Sequence, residues 1–89
     1  MKRSYVVSGA VQGVGFRHYT WRQGLRIGLK GWVRNLPDGR VEAVAEGTAE
    51  QLEEFERALR QGPPSACVTY LHVADSRDEA QQVVTFEIR

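Results

Sequence analysis

The sequence predicts a two-layer α+β fold in which two helices cover one face of a mostly antiparallel sheet. Three observations predict it. Strand-like alternation and helix-like spacing follow one another in the order β-α-β-β-α-β, with one further strand at the end. A Pro37-Asp38-Gly39 turn joins the second strand to the third. Each helix carries a single apolar stripe, so both need a sheet face to bury it.

Residues 3–11 alternate as the first strand, Tyr5, Val7, Gly9 and Val11 against Val6, Ser8 and Ala10. A glycine-rich turn then leads into a helix from Phe16 to about Ile27. Phe16, Thr20, Gly24 and Ile27 share one stripe, with Arg22 and Arg26 turned away. Gly24 in mid-helix costs ~1 kcal/mol relative to alanine, which a close approach of helix to sheet would explain. Trp21 is read as half-exposed packing, and Gly28 stops the helix. Leu29–Leu36 and Arg40–Glu46 form a hairpin, because proline presets φ and Gly39 permits the reversal.

Thr48-Ala49-Glu50-Gln51 is a capping box that opens the second helix. Its stripe is Leu52, Phe55 and Leu59. Glu50, Glu53, Glu54 and Glu56 face water or flank that stripe, a solvated face rather than paired catalytic carboxylates. Gly62-Pro63-Pro64-Ser65 ends the helix. Ala66–Ala74 is a strand, residues 75–79 a polar loop, and Gln82–Ile88 the last strand.

This order fits the ferredoxin-like arrangement, in which the first two strands run parallel and the third lies antiparallel between them. Right-handed crossovers send both helices to the same face. The carboxyl ends of the first two strands then share one sheet edge. That edge holds both the glycine turn and Asn35, two strand spacings or ~10 Å apart.

Eighty-nine residues imply one domain, residues 1–89, able to bury roughly two thirds of its unfolded surface. A net charge of +1 provides no broad field for nucleic acid or membrane, so any anion site must be local. The single cysteine, Cys67, excludes an intrachain disulfide and offers no metal cluster; its alternating apolar setting reads as a buried small hydrophobe. There is no long apolar run and no signal peptide, which makes a soluble cytoplasmic protein the expectation.

The chemistry concentrates at Gln12-Gly13-Val14-Gly15-Phe16-Arg17. No proline interrupts this turn, so every residue offers an N–H, and glycine lets the chain curl until several converge. Converging donors at a helix start favour an anion, and so does the helix dipole. Arg17 adds a planar fork of donors suited to a phosphate and protonated at any working pH. The pattern is neither the nucleotide P-loop nor the dinucleotide fingerprint, since no Lys-Ser or Lys-Thr follows and His18 stands where a third glycine would fall. Taken alone, it is equally a tight strand-to-helix turn with a surface arginine. Asn35 is unusual in a strand. Alone it reads as a helper of the following turn; beside the glycine turn, its carboxamide can hold and aim a water.

Val11-Gln12-Gly13-Val14-Gly15-Phe16-Arg17, Gly31-Trp32-Val33-Arg34-Asn35, Asp38-Gly39-Arg40-Val41 and the closing Phe86-Glu87-Ile88-Arg89 together resemble the acylphosphatase family. The resemblance spans essentially the whole chain and implies the fold reached above. It implies hydrolysis of the carboxyl–phosphate bond of acyl phosphates, with no metal and no cofactor. Arg17 would bind the phosphate and Asn35 would orient the attacking water; both count as catalytic. The backbone of Gln12, Gly13, Val14, Gly15, Phe16 and Arg17 would cradle the phosphate. One departure is Gly24, where the family commonly has alanine.

The implied partners are a small acyl phosphate and, as product-like ligands, inorganic phosphate or sulfate, with no nucleic acid or membrane. A monomer is expected. His18 is expected to face solvent and His72 to be a half-buried structural residue, so the substrate phosphate, or no base at all, takes the water proton. An RNA-binding domain would need stacking aromatics in the middle strands, where Trp32 stands alone and reads as core or rim packing. A phosphate-handling module of a larger maturation protein keeps the same fold. The chain ends at Arg89 with nothing attached, which favours a free-standing enzyme.

Overall fold

The structure, a computed structural model, describes residues 1–76 and 84–89. Its elements are β1 (Lys2–Ala10), α1 (Phe16–Ile27), β2 (Lys30–Asn35), β3 (Val41–Glu46), α2 (Ala49–Gln61), β4 (Cys67–Asp75) and β5 (Phe86–Ile88). They build the expected α+β, ferredoxin-like fold. The five strands lie in the order β4-β1-β3-β2-β5. β3 runs antiparallel to both β1 and β2, so those two are parallel. β4 is antiparallel to β1, and β5 is parallel to β2.

The core lies between the sheet and the helices. Tyr5, Val7, Val33, Val41, Ala43, Ala45 and Phe86 from the strands meet Phe16, Leu52, Phe55 and Leu59 from the helices. Burying each of these larger side chains contributes roughly 1.5–3 kcal/mol. Thr48 caps α2 with the full reciprocal box: its hydroxyl accepts from the Gln51 N–H at 3.1 Å, and its own N–H donates to Gln51 Oε1 at 2.8 Å. Gly24 is explained by the close approach that its position suggested. A Cβ there would stand 2.5 Å from the Phe86 ring, so α1 lies directly on β5. Trp21 is half-buried as expected, and its indole N–H donates to the Phe86 carbonyl at 3.0 Å.

Several expectations need correction. His72 and Cys67 are exposed. Both belong to β4, an edge strand, and alternation alone does not reveal which sheet face a second layer covers. His72 pairs with Val6 on the face away from the helices. The last strand is shorter than its alternation suggests, because Val84 and Thr85 precede the residues that pair with β2. The predicted positions 82 and 83, and residues 77–79 of the polar loop, lie outside the described residues. Trp32 is buried on the outer sheet face, with the guanidinium carbons of Arg34 and Arg89 5.3 and 5.1 Å from its ring centroid. No helix of the described residues is long and apolar enough to cross a membrane.

Glu56 is more than a flanking residue. Its carboxylate accepts from the buried Tyr5 hydroxyl at 2.9 Å and from Arg3 Nη1 at 2.7 Å, tying α2 to β1. Burial, followed by the hydrogen bond to Glu56, pushes the Tyr5 phenol far above its ordinary value. The folded chain therefore holds that proton more tightly than the unfolded chain does. The associated stability is present below the ordinary tyrosine value of about 10 and is lost as pH rises above it. Thermal melts across about pH 8 to 11 should show Tm falling on the alkaline side, and Tyr5→Phe should flatten that fall.

Candidate active site

The turn after β1 adopts an unusual backbone. Gly13 and Gly15 both take positive φ, 73° and 80°, while Val14 between them does not. A Cβ on either glycine would meet nothing within 4 Å, so backbone conformation and not crowding calls for glycine. Alternation of this kind turns successive N–H groups toward one side and forms an anion-binding concavity. None of the six amides of residues 12–17 donates a hydrogen bond to another described residue. Gly15 is the N-cap of α1 and brings no side-chain cap, and the first turn carries no acidic residue. No side-chain cap and no acidic residue in that turn therefore offset the positive end of the helix dipole.

Arg17 is exposed on the first turn of α1. Its Nη1 lies 3.4 Å from the main-chain oxygen of Arg89, and it forms no ion pair among the described residues. The guanidinium thus has a light hydrogen-bonded rest position beside β5 and keeps donors to spare.

Asn35 ends β2, opposite Val41 of β3, which in turn stands opposite Val7 of β1. It shares strand parity with the core residue Val33, so it lies on the helix-covered face, the same face as α1. Its carboxamide has no hydrogen-bond partner among the described residues. The turn beyond it is stabilised by Asp38 instead, whose carboxylate accepts the Arg40 N–H at 3.1 Å and Arg40 Nε at 2.7 Å. Accepting that main-chain N–H, and then facing the guanidinium, holds the Asp38 carboxyl below its usual range. Asn35 is therefore not occupied as a turn residue.

Gln12 has a role that sequence reasoning missed. Its Nε2 donates to the carbonyls of Leu36 at 2.7 Å and Arg40 at 2.9 Å. The side chain clamps the glycine turn to the β2–β3 hairpin immediately beyond Asn35, while its main-chain N–H donates to no described residue. A tether between residues 24 apart leaves no local signal in the sequence. His18 faces solvent as expected, with its ring centroid 5.3 Å from that of Trp21. Among the described residues, no three His, Cys, Asp or Glu side chains gather where a metal ion could be held.

The acylphosphatase family model matches residues 3–88. The chain belongs to the acylphosphatase family. It is 50% identical over 91 residues to the acylphosphatase of Nitratidesulfovibrio vulgaris (strain DP4), covering 99% of this chain and 89% of that one. It is 47% identical over 81 residues to the acylphosphatase of Pasteurella multocida, covering 88% and 90%. The crystal structure of acylphosphatase from Bacillus subtilis superposes with a TM-score of 0.91 at 39% identity, over 99% of this chain and 97% of that one. Acylphosphatases are hydrolases that act on acid anhydrides, and the chain is similar to its relatives over nearly its full span.

Proposed function

We propose that this acylphosphatase-family chain hydrolyses acyl phosphates to a carboxylate and inorganic phosphate, without a metal. In this reading the amides of Gln12, Gly13, Val14, Gly15, Phe16 and Arg17 cradle the phosphate, the Arg17 guanidinium stabilises its charge, and Asn35 aims the water. One observation carries it: six consecutive amides stand without a partner among the described residues at a helix start with no side-chain cap, and the Asn35 carboxamide on the same sheet face has none among them either.

The chemistry asks little more of the protein. An acyl phosphate is a mixed anhydride whose leaving group is a carboxylate, so departure needs no strong acid. The water oxygen forms a bond to phosphorus as the bridging P–O bond breaks. The electron pair of that bond leaves with the carboxylate, and both water protons finish on the released phosphate. Such a transfer depends on positioning and charge stabilisation. Amides fixed in the turn need no reorganisation as charge shifts, and one such donor is worth roughly 3 kcal/mol. The reading extends to one domain of residues 1–89, acting as a cytoplasmic monomer on a small substrate, with phosphate or sulfate as competing ligands and no nucleic-acid or membrane partner. The near-zero net charge supports a local anion site over an extended polyanion surface.

Hydrolysis of benzoyl phosphate in the presence of a chelator tests the proposal. Turnover should persist unchanged. Loss of turnover restored by a divalent cation would contradict the metal-free mechanism, and no turnover under either condition would contradict the substrate class.

A further inference from the structure

A groove of about 520 Å³ runs along the outward side of α1, lined by Gly15, His18, Tyr19, Arg22, Gln23, Arg26 and Pro63. It includes neither Arg17 nor Asn35, yet it shares Gly15 with the proposed cradle. We infer that this groove reads the acyl half of the substrate, and that Arg22 determines specificity by favouring acyl phosphates whose acyl part carries a second anionic group. The inference rests on the acyl phosphate hydrolysis proposed above.

The charges lining the groove are unequal in availability. Arg26 is committed: Nη1 pairs with Glu54 at 2.8 Å, and Nε and Nη2 donate to Gln23 Oε1 at 3.1 and 2.8 Å. Glu54 thereby cancels the Arg26 charge, and Gln23 spends its acceptor on the same partner. Tyr19 is also committed, its hydroxyl donating to the Ala58 carbonyl at 2.8 Å across to α2. Arg22 forms no hydrogen bond or ion pair with any described residue and is exposed. Among the described residues the groove therefore presents one uncompensated fixed cation, with the His18 imidazole one turn nearer the cradle.

Geometry sets the kind of ligand. Arg22 is seven residues beyond Gly15, or ~10 Å along the helix axis. Side chains on a helix lean toward its N-terminus, so the guanidinium leans toward the cradle and shortens that separation. The groove meets the proposed cradle at Gly15, so in this assignment the acyl substituent of a phosphate seated on the amides of residues 12–17 enters the groove there. An acyl chain with a distal carboxylate or phosphate could then reach Arg22, whereas a short neutral acyl group could not.

The test compares acetyl phosphate, succinyl phosphate and the acyl phosphate of a phosphorylated hydroxy acid. These carry no second charge, a carboxylate and a phosphate monoester respectively. Arg22→Ala should lower kcat/KM for both charged substrates roughly three- to five-fold through KM, as expected for an exposed ion pair, and leave acetyl phosphate unchanged. Arg22→Lys should retain most of the preference, and added salt should abolish it in the wild type. A larger loss for the phosphate monoester than for succinyl phosphate would identify phosphate as the preferred second group; equal losses would identify any anion. Equal effects on all three substrates, or no effect, would overturn the groove assignment while acetyl phosphate hydrolysis still supports the enzyme. Failure of the wild type to hydrolyse any of the three would instead overturn the proposed activity itself.

Discussion

Arg17→Ala should lower turnover of an acyl phosphate by about 10³-fold or more and weaken inhibition by inorganic phosphate in parallel, because a single guanidinium opposite a transferring phosphoryl group is worth that much. The side chain is exposed and makes one hydrogen bond to a described residue, 3.4 Å to the Arg89 oxygen, so its removal leaves the core untouched. A melting temperature within a few degrees of wild type should accompany the loss. Arg17→Lys should fall between the two, since an ammonium restores the point charge but not the planar fork. Steady-state kinetics with phosphate as competitor separate these cases. An Arg17→Ala variant with the wild-type rate would remove that side chain from the mechanism.

The second large effect is expected at Asn35, and it should differ in kind. Asn35→Ala should reduce kcat by about 10²-fold, the cost of losing orientation of one reactant. Phosphate affinity should remain within a factor of about two, because the cradle amides and Arg17 are unchanged. Asn35→Asp keeps the size of the side chain but brings a negative charge beside an anion site, so it should lose phosphate affinity as well. Phosphate inhibition constants measured beside kcat distinguish the two variants. Parallel loss of kcat and phosphate affinity in Asn35→Ala would make Asn35 a phosphate ligand and leave the water without its proposed guide.

What could be read in advance depended on whether the signal was local. The bounds of α1 and α2 were legible because their ends are written in turn and cap chemistry: Gly15 and Gly28 around one helix, Thr48 and Gly62 around the other. Gly24 was legible as a close approach, although its partner Phe86 was not. The place of β3 between the parallel β1 and β2 followed from handedness and connection rules and needed no side-chain detail, whereas the edge positions of β4 and β5 were not read. The surroundings of β4 were not legible. Alternation marks two faces, and which one stays open to solvent depends on where the helices land, so Cys67 was expected buried and His72 half-buried, and both are exposed.

At the candidate site the pattern is similar. The turn, its glycines and Arg17 stand together in sequence, and topology brings Asn35 to the same edge. The Gln12 clamp onto Leu36 and Arg40 could not be seen, because a glutamine side chain gives no sign of its partner. The same is true of Glu56, whose acidic neighbours suggested a solvated face although it bridges Arg3 and Tyr5. That Gln12 bond matters to the chemistry. It fixes the distance between the turn that would hold the phosphate and the strand that would aim the water.

A crystal grown with inorganic phosphate would decide whether the unpaired amides form a cradle. The anion should lie within the turn of residues 12–17, accepting hydrogen bonds from several of its main-chain N–H groups and from Arg17, with a water between it and the Asn35 carboxamide. Phosphate bound elsewhere while that turn stays vacant at saturating concentration would contradict the proposed chemistry.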